Sequence, residues 1–267
     1  TRNILKDYAM AFDRQPPVYC HLPMVMGKDG QKLSKRHGAT SVREFKKQGY
    51  LPEALVNYIS MVGWSYDDKR QFFTKEELEH LFSLDKLNKA PGVFDYKKLE
   101  WYNGQYIRSK TDNELKQMVL PYIRQNGLVH EPLTNQEEQV LEGAIPLIKE
   151  RLRYLSEAPE LLRFLFEEIT SYNAEELIPK KMNADAALDV MKEVRKLMDD
   201  FDHFSDEENE QRFRDKAEEL DVKLGSLLMP LRVAVTGSSV SPPLFGSIRL
   251  LGVSTSINRV DRAIASL

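Results

Sequence analysis

From Ser41 onward the apolar residues recur at spacings of three and four, with almost no two-residue alternation. Ser41-Val42-Arg43-Glu44 reads as a capping box and Gly49 as the stop of a first short helix. Pro52 opens the next, to about Val62, with Leu55, Tyr58, Ile59 and Val62 on one face. Thr74-Lys75-Glu76-Glu77 caps another, and Pro91-Gly92 breaks the chain before a helix led by Asp95 that carries Leu99, Tyr102, Tyr106 and Ile107. Thr111-Asp112-Asn113-Glu114 starts a helix that stops at Gly127. Thr134-Asn135-Gln136-Glu137 starts a long one, kinked at Pro146 and running to about Leu155. Helices over 159–168, 184–201, 206–220 (capped by Ser205), 223–235 (stopped by Gly237), 243–251 and 255–266 complete the chain. Ten or more helices with short connections make the fold mostly α. Breaks are expected near Ser109-Lys110 and Tyr172-Asn173, and no internal repeat or low-complexity segment appears.

The first forty residues differ. Ile4, Leu5, Tyr8 and Phe12 mark a short amphipathic helix that Pro16-Pro17 ends. The run Val18-Tyr19-Cys20-His21-Leu22-Pro23-Met24-Val25-Met26 reads as a buried strand, with His21 a hydrogen-bonded core histidine and Cys20 an inert thiol. The chain opens on Thr1-Arg2-Asn3-Ile4 with no initiator Met, as a helix entered midway and a fragment of something longer.

Composition narrows the chemistry. One cysteine excludes an internal disulfide framework and a Cys-rich zinc cage, and fits a reducing, cytoplasmic setting. The five histidines have no metal-ligand spacing, no Gly-rich dinucleotide or Walker fingerprint occurs, and no apolar run is long enough to span a bilayer. Net charge is −3, but unevenly spread. Seven Lys/Arg face two acids between Lys28 and Lys47, and five face one between Val222 and Leu267. Ser205 to Asp221 carries eight acids against three bases. Local basic surfaces of this kind suit a polyanion better than the net charge suggests.

The densest signal is Lys32-Leu33-Ser34-Lys35-Arg36-His37-Gly38, behind Gly27-Lys28-Asp29-Gly30. Flanking glycines let the backbone bend closely around an anion while Lys32 and Lys35 hold a triphosphate, work that needs positioning and charge rather than a base. By itself such a segment is more often a solvated basic surface loop.

The stretch Gly27 to Ser41 resembles the Lys-Met-Ser-Lys-Ser signature loop of class I aminoacyl-tRNA synthetases, in the form typical of bacterial glutamyl-tRNA synthetases. The resemblance continues through Gly49-Tyr50-Leu51-Pro52-Glu53-Ala54-Leu55, Val62-Gly63-Trp64, Phe94-Asp95, Trp101, Asn103-Gly104 and Tyr106-Ile107. It ends with Lys223-Leu224-Gly225, Pro230-Leu231-Arg232-Val233-Ala234-Val235-Thr236-Gly237, Ser241-Pro242 and Leu244-Phe245.

What the resemblance implies is a glutamate–tRNA ligase, which joins glutamate to tRNA(Glu) with ATP and Mg2+ through a glutamyl-adenylate. Lys35 is then the catalytic residue, within an ATP-binding loop of Lys32, Leu33, Ser34, Lys35 and Arg36; Arg36 stands where the signature has its final Ser. Arg151 on the long helix, Arg232 and Leu244 are the implied anticodon-binding residues, and no metal site is implied. Residues 1–38 would end a catalytic domain with a short α/β remnant, and 39–110 would form a stem-contact domain. Residues 111–172 and 173–267 would be two helical anticodon-binding subdomains. The family's nucleotide-binding fold and its His-Ile-Gly-His-like motif have no counterpart in this sequence, so the chain alone is expected to be inactive, a monomer, cytoplasmic, with tRNA(Glu) as its partner and no cofactor bound. An arginine at position 151 points to discrimination against tRNA(Gln). A free-standing helical RNA-binding module is the alternative reading.

Overall fold

A computed structural model describes residues 2–15, 19–38, 41–180 and 182–267. The mostly-α expectation holds: the described elements are α-helices and short 3-10 turns, with three isolated β-bridges in place of sheets. In order, the helices are α1 Arg2–Ala11, α2 Val42–Gln48, α3 Pro52–Ser60, α4 Lys75–Leu81, α5 Tyr96–Arg108, α6 Asp112–Gln125 and α7 Asn135–Lys149. Then come α8 Ala158–Phe166, α9 Ala174–Leu177, α10 Ala184–Met198, α11 Asp206–Glu219, α12 Leu224–Thr236, α13 Leu244–Leu251 and α14 Val253–Ala265. Ser41, Thr74, Thr111, Thr134 and Ser205 each form the capping box read from the sequence, and each satisfies backbone donors that a helix start leaves open. No described helix is long and apolar enough to cross a membrane.

Two compact units are distinguished, Thr1–Thr40 with Val56–Tyr96, and Ser41–Leu55 with Lys97–Leu267. The first has a small core of Trp64, Phe73 and Leu78, with Met61, Tyr66, Leu81 and Leu87 against it. Buried Asn57 ties it together: its amide donates to the Gln71 carbonyl at 2.9 Å and its oxygen accepts from the Phe73 N–H at 2.7 Å.

Three expectations in this unit need correction. Residues 19–25 form no regular strand; Met26 alone bridges, antiparallel to Lys32 and parallel to Val93. Cys20 and His21 are consequently exposed rather than buried, because no described sheet covers them. Ile59 is 50% exposed although it shares the predicted apolar face of α3. The face of α1 carrying Ile4, Leu5, Tyr8 and Phe12 is likewise exposed. Pro16, Pro17 and Val18, expected to end the first helix and open the strand, and Ala39 and Thr40 of the basic loop, lie outside the described residues.

The second unit holds two helical cores. One gathers Leu115, Val119 and Ile123 of α6, Leu141, Ala144, Ile145 and Ile148 of α7, and Leu162 of α8. Here the long helix stops at Lys149, six residues short of expectation. Tertiary hydrogen bonds override helix propensity: Leu152 turns fully into the core, the Arg153 carbonyl accepts from buried Asn103, and the Leu155 N–H donates to the Gly49 carbonyl at 3.1 Å. The other core surrounds α12, whose Leu227, Leu231, Ala234 and Val235 are fully buried among α10, α11, α13 and α14.

Two features join these cores. Helices α7 and α13 pack through reciprocal glycine hollows: a Cβ on Gly143 would stand 2.6 Å from Leu250, and one on Gly246 would stand 2.8 Å from Leu147. Arg259 of α14, 2% exposed, donates to the carbonyls of Val235, Phe164 and Glu167 at 2.7–3.1 Å. Those carbonyls lie at or near the ends of α12 and α8, where helices leave acceptors without partners. Burial pushes the Arg259 guanidinium down from its usual range, and nearby Glu168 and Tyr172 act the other way.

Candidate nucleic-acid and phosphate sites

The basic loop is built on the Met26 bridges. The Met26 N–H donates to the Gly92 carbonyl and the Phe94 N–H to the Met26 carbonyl, both at 2.8 Å; the Leu33 N–H returns to the Val25 carbonyl at 3.0 Å. Between these points the chain turns tightly, with Gly27 N–H on the Gln31 carbonyl at 2.7 Å and Gly30 in the left-handed region. A 3-10 turn, Lys35–His37, follows Ser34. Lys28 is tied down by Asp95 at 2.9 Å and Arg36 by Asp29 at 3.3 Å. Lys32 and Lys35 are exposed, and among the described residues neither ammonium group has an ion pair or hydrogen bond. Leu33 and Ser34 are half-buried. The loop thus presents two uncommitted cations on a turn whose other charges are neutralised, an arrangement suited to phosphate oxygens.

One contact within the loop escaped sequence reasoning. The His37 ring, its side chain 14% exposed, sits 3.1 Å from both carboxylate oxygens of Asp29, while its Nδ1 lies 3.0 Å from the Ser34 N–H. The Gln31 N–H, followed by His37, holds the Asp29 carboxyl below the usual carboxylate range. The signal was present as an Asp in a Gly-Lys-Asp-Gly turn, eight residues before a histidine, but nothing in the spacing says that the two turns fold onto one another.

In the second unit, Arg151 occupies the turn just past α7, not the helix itself, and is exposed. No ion pair engages it among the described residues. Arg232 of α12 is half-buried; its Nη1 donates to the Ser241 hydroxyl and to the Pro242 carbonyl at 2.9 Å, fastening the loop before α13. Burial pushes the Arg232 guanidinium down, and the neighbouring positive charge of Arg151 pushes the same way. Two predicted residues, 81 positions apart in sequence, are therefore brought within reach of each other's charge. Like charges that feel one another raise the local positive potential, which favours an anion. Leu244, the first residue of α13, is 6% exposed and packs into the C-terminal core. No group of three or more His, Cys, Asp or Glu among the described residues could hold a metal ion.

Comparison with known proteins adds a family. Residues 114–264 match the model of an anticodon binding domain, and residues 6–101 match that of the catalytic domain of class I tRNA synthetases (E and Q). The glutamate–tRNA ligase of Borreliella burgdorferi is 48% identical over 253 residues, covering 95% of this chain and 52% of that protein. That of Treponema denticola is 47% identical, covering 96% of this chain and 54% of its own length. A crystal structure of a glutamate tRNA ligase from Elizabethkingia meningosepticum, in complex with its amino acid, has the same fold with a TM-score of 0.74 at 24% identity; it covers 98% of this chain and 54% of that one. The chain thus spans about half the length of the curated relatives it matches. On these grounds the chain belongs to the anticodon binding domain family, with residues 6–101 matching the catalytic domain of class I tRNA synthetases (E and Q).

Proposed function

We propose that this chain is the tRNA-holding half of a glutamate–tRNA ligase that attaches glutamate to tRNA(Glu) with ATP through a glutamyl-adenylate. The observation that carries this reading is the 48% identity to a glutamate–tRNA ligase along 95% of the chain. The two cation arrangements support it. Lys32 and Lys35, with Leu33, Ser34 and Arg36 shaping the turn, form the phosphate-handling loop; Lys35 stabilises charge that develops as the phosphoryl centre becomes pentavalent. Magnesium accompanies the triphosphate rather than a carboxylate cluster of this chain.

Residues 1–38 end the catalytic domain, 39–110 contact the tRNA stem, and 111–172 and 173–267 form two anticodon-binding subdomains. Arg151 and Arg232 face the anticodon, whose unstacked bases and flanking phosphates offer planar edges and negative charge. Leu244 serves the same site from below, by seating the first turn of α13 beside Pro242. The enzyme is a cytoplasmic monomer.

The full-length protein is expected to charge tRNA(Glu) with glutamate, and the 267-residue chain alone is expected to give no glutamate- and tRNA-dependent pyrophosphate exchange. Exchange by the isolated chain would refute the division of labour; failure of the full-length protein to charge tRNA(Glu) would refute the reading as a whole.

A further inference from the structure

We propose that His37 and Asp29 are positioning residues that set the direction in which Lys35 presents its ammonium group. The inference rests on the reading of this loop as the phosphate-handling element. Two turns make up the loop, Gly27–Gln31 and Ser34–Gly38, and in each the backbone bonds mainly close on the same turn. The side chains that join one turn to the other are those of Asp29, His37 and Arg36.

The contacts suit one tautomer of the ring. The Ser34 N–H donates to His37 Nδ1 at 3.0 Å, so Nδ1 is an acceptor and the ring proton resides on Nε2. Nε2–H then donates to the Asp29 carboxylate, which also accepts from the Gln31 N–H at 3.0 Å. The Ser34 hydroxyl, 3.1 Å from Nδ1, can donate as well, whereas the Ser34 carbonyl at 3.1 Å gains a donor only if Nδ1 takes up a proton. Lys35 lies between Ser34 and His37, so its Cα is held from both sides by the ring. Among the described residues neither the Lys32 nor the Lys35 ammonium group has a partner, and their placement therefore depends on the turn that bears them.

Gly27 is part of the same device. A Cβ there would stand 2.9 Å from the His37 Cδ2 and Nε2 atoms. Gly27 is not among the glycines with positive φ, so alanine fits its backbone, and what it crowds is the ring and, at 3.0 Å, the Asp29 Oδ1 atom. Gly27→Ala thus disturbs the brace without removing either partner.

The test is steady-state pyrophosphate exchange by the full-length enzyme carrying G27A, H37A, D29A, D29N, the double variant D29A/H37A, or K35A, with thermal melting alongside. G27A, H37A and D29A are each expected to lower kcat about 10- to 100-fold while the KM for ATP moves by less than about threefold, because a misdirected cation loses the transition state more than the ground state. D29N keeps an acceptor for Nε2–H and is expected to stay within about threefold of the unmodified enzyme. The double variant is expected to be no worse than the poorer single one, as for two ends of one contact. Additive losses in the double variant, unchanged kcat in G27A and H37A, or losses matched wholly by a fall in melting temperature would each overturn the assignment. K35A separates the two claims: if it leaves kcat intact, the phosphate-handling reading fails first; if it is crippled while H37A is not, only the positioning role fails.

Discussion

The loop and the Arg151–Arg232 pair both present positive charge, but by opposite means. The loop holds its cations on an exposed turn, stiffened by a histidine, an aspartate and backbone hydrogen bonds. Of the arginine pair, Arg232 stands on packed α12, partly buried and fastened to the Pro242 carbonyl, and Arg151 on the turn just past α7. The difference suits the tasks proposed for them. A loop carried by polar contacts can shift as phosphates arrive and leave. An arginine fastened to a packed helix keeps its place, which reading planar bases requires.

The largest expected effect separates chemistry from scaffold. Lys35→Ala in the full-length enzyme should lower kcat by about 10²–10³ with little change in melting temperature, since the side chain is exposed and its ammonium has no ion pair or hydrogen bond among the described residues. A large fall in stability instead would mean that the loop is not an independent exposed turn. Arg259→Ala probes the opposite regime. It strips three carbonyls of their buried donor where the two helical cores meet, and should destabilise the chain by about 3 kcal/mol in denaturant titration. A loss under about 0.5 kcal/mol would show that those carbonyls find water instead.

Arg151→Gln should weaken binding of tRNA(Glu) by about tenfold and leave the fold intact, because the residue is exposed and without an ion pair among the described residues. The same variant bears on specificity. The unmodified enzyme is expected to charge tRNA(Glu) and not tRNA(Gln), with the gap narrowing in the variant; equal charging of both by the unmodified enzyme would refute the discriminating role.

A smaller effect is set by pH. Burial alone would raise the carboxyl of Glu137, but hydrogen bonds from the Thr134 backbone, from His130 and from the Thr134 hydroxyl outweigh it and bring it down to about 2. A carboxylate depressed in the folded state contributes stability that is fully present above its ordinary value near 4.5 and is lost as pH falls toward about 2. Melting of the chain across that window should therefore fall less steeply for Glu137→Gln than for the parent. Thr134→Ala should cost about 1 kcal/mol at neutral pH, as for the loss of a helix cap.

How much of this was legible in sequence follows from the range of the forces involved. The five capping boxes and the glycine stops at 49, 127 and 237 are local, and they were readable to within a residue or two. Long-range contacts were not. The premature end of α7 depends on Asn103 and Gly49, roughly 50 and 106 positions away from the residues they bind, and no periodicity encodes that. The run from Tyr19 to Met26 was misread for a related reason: an apolar run specifies a strand only where a neighbouring strand lies alongside, and of these residues Met26 alone makes β-bridges among the described residues. At the sites, residue types pointed to Lys32 and Lys35, and the resemblance to Arg151 and Arg232. They did not reveal that His37 reaches back to Asp29, or that Arg151 and Arg232 feel each other's charge.

The claim underlying the comparison is that this chain's helical half holds tRNA through that arginine pair. Binding of tRNA(Glu) to the 267-residue chain, followed across a salt titration with and without Arg232→Gln, tests it most directly. A steep linear fall of log affinity with log salt, shallower by about one unit in the variant, is the predicted result. Affinity independent of salt, or a slope that Arg232→Gln leaves unchanged, would contradict it.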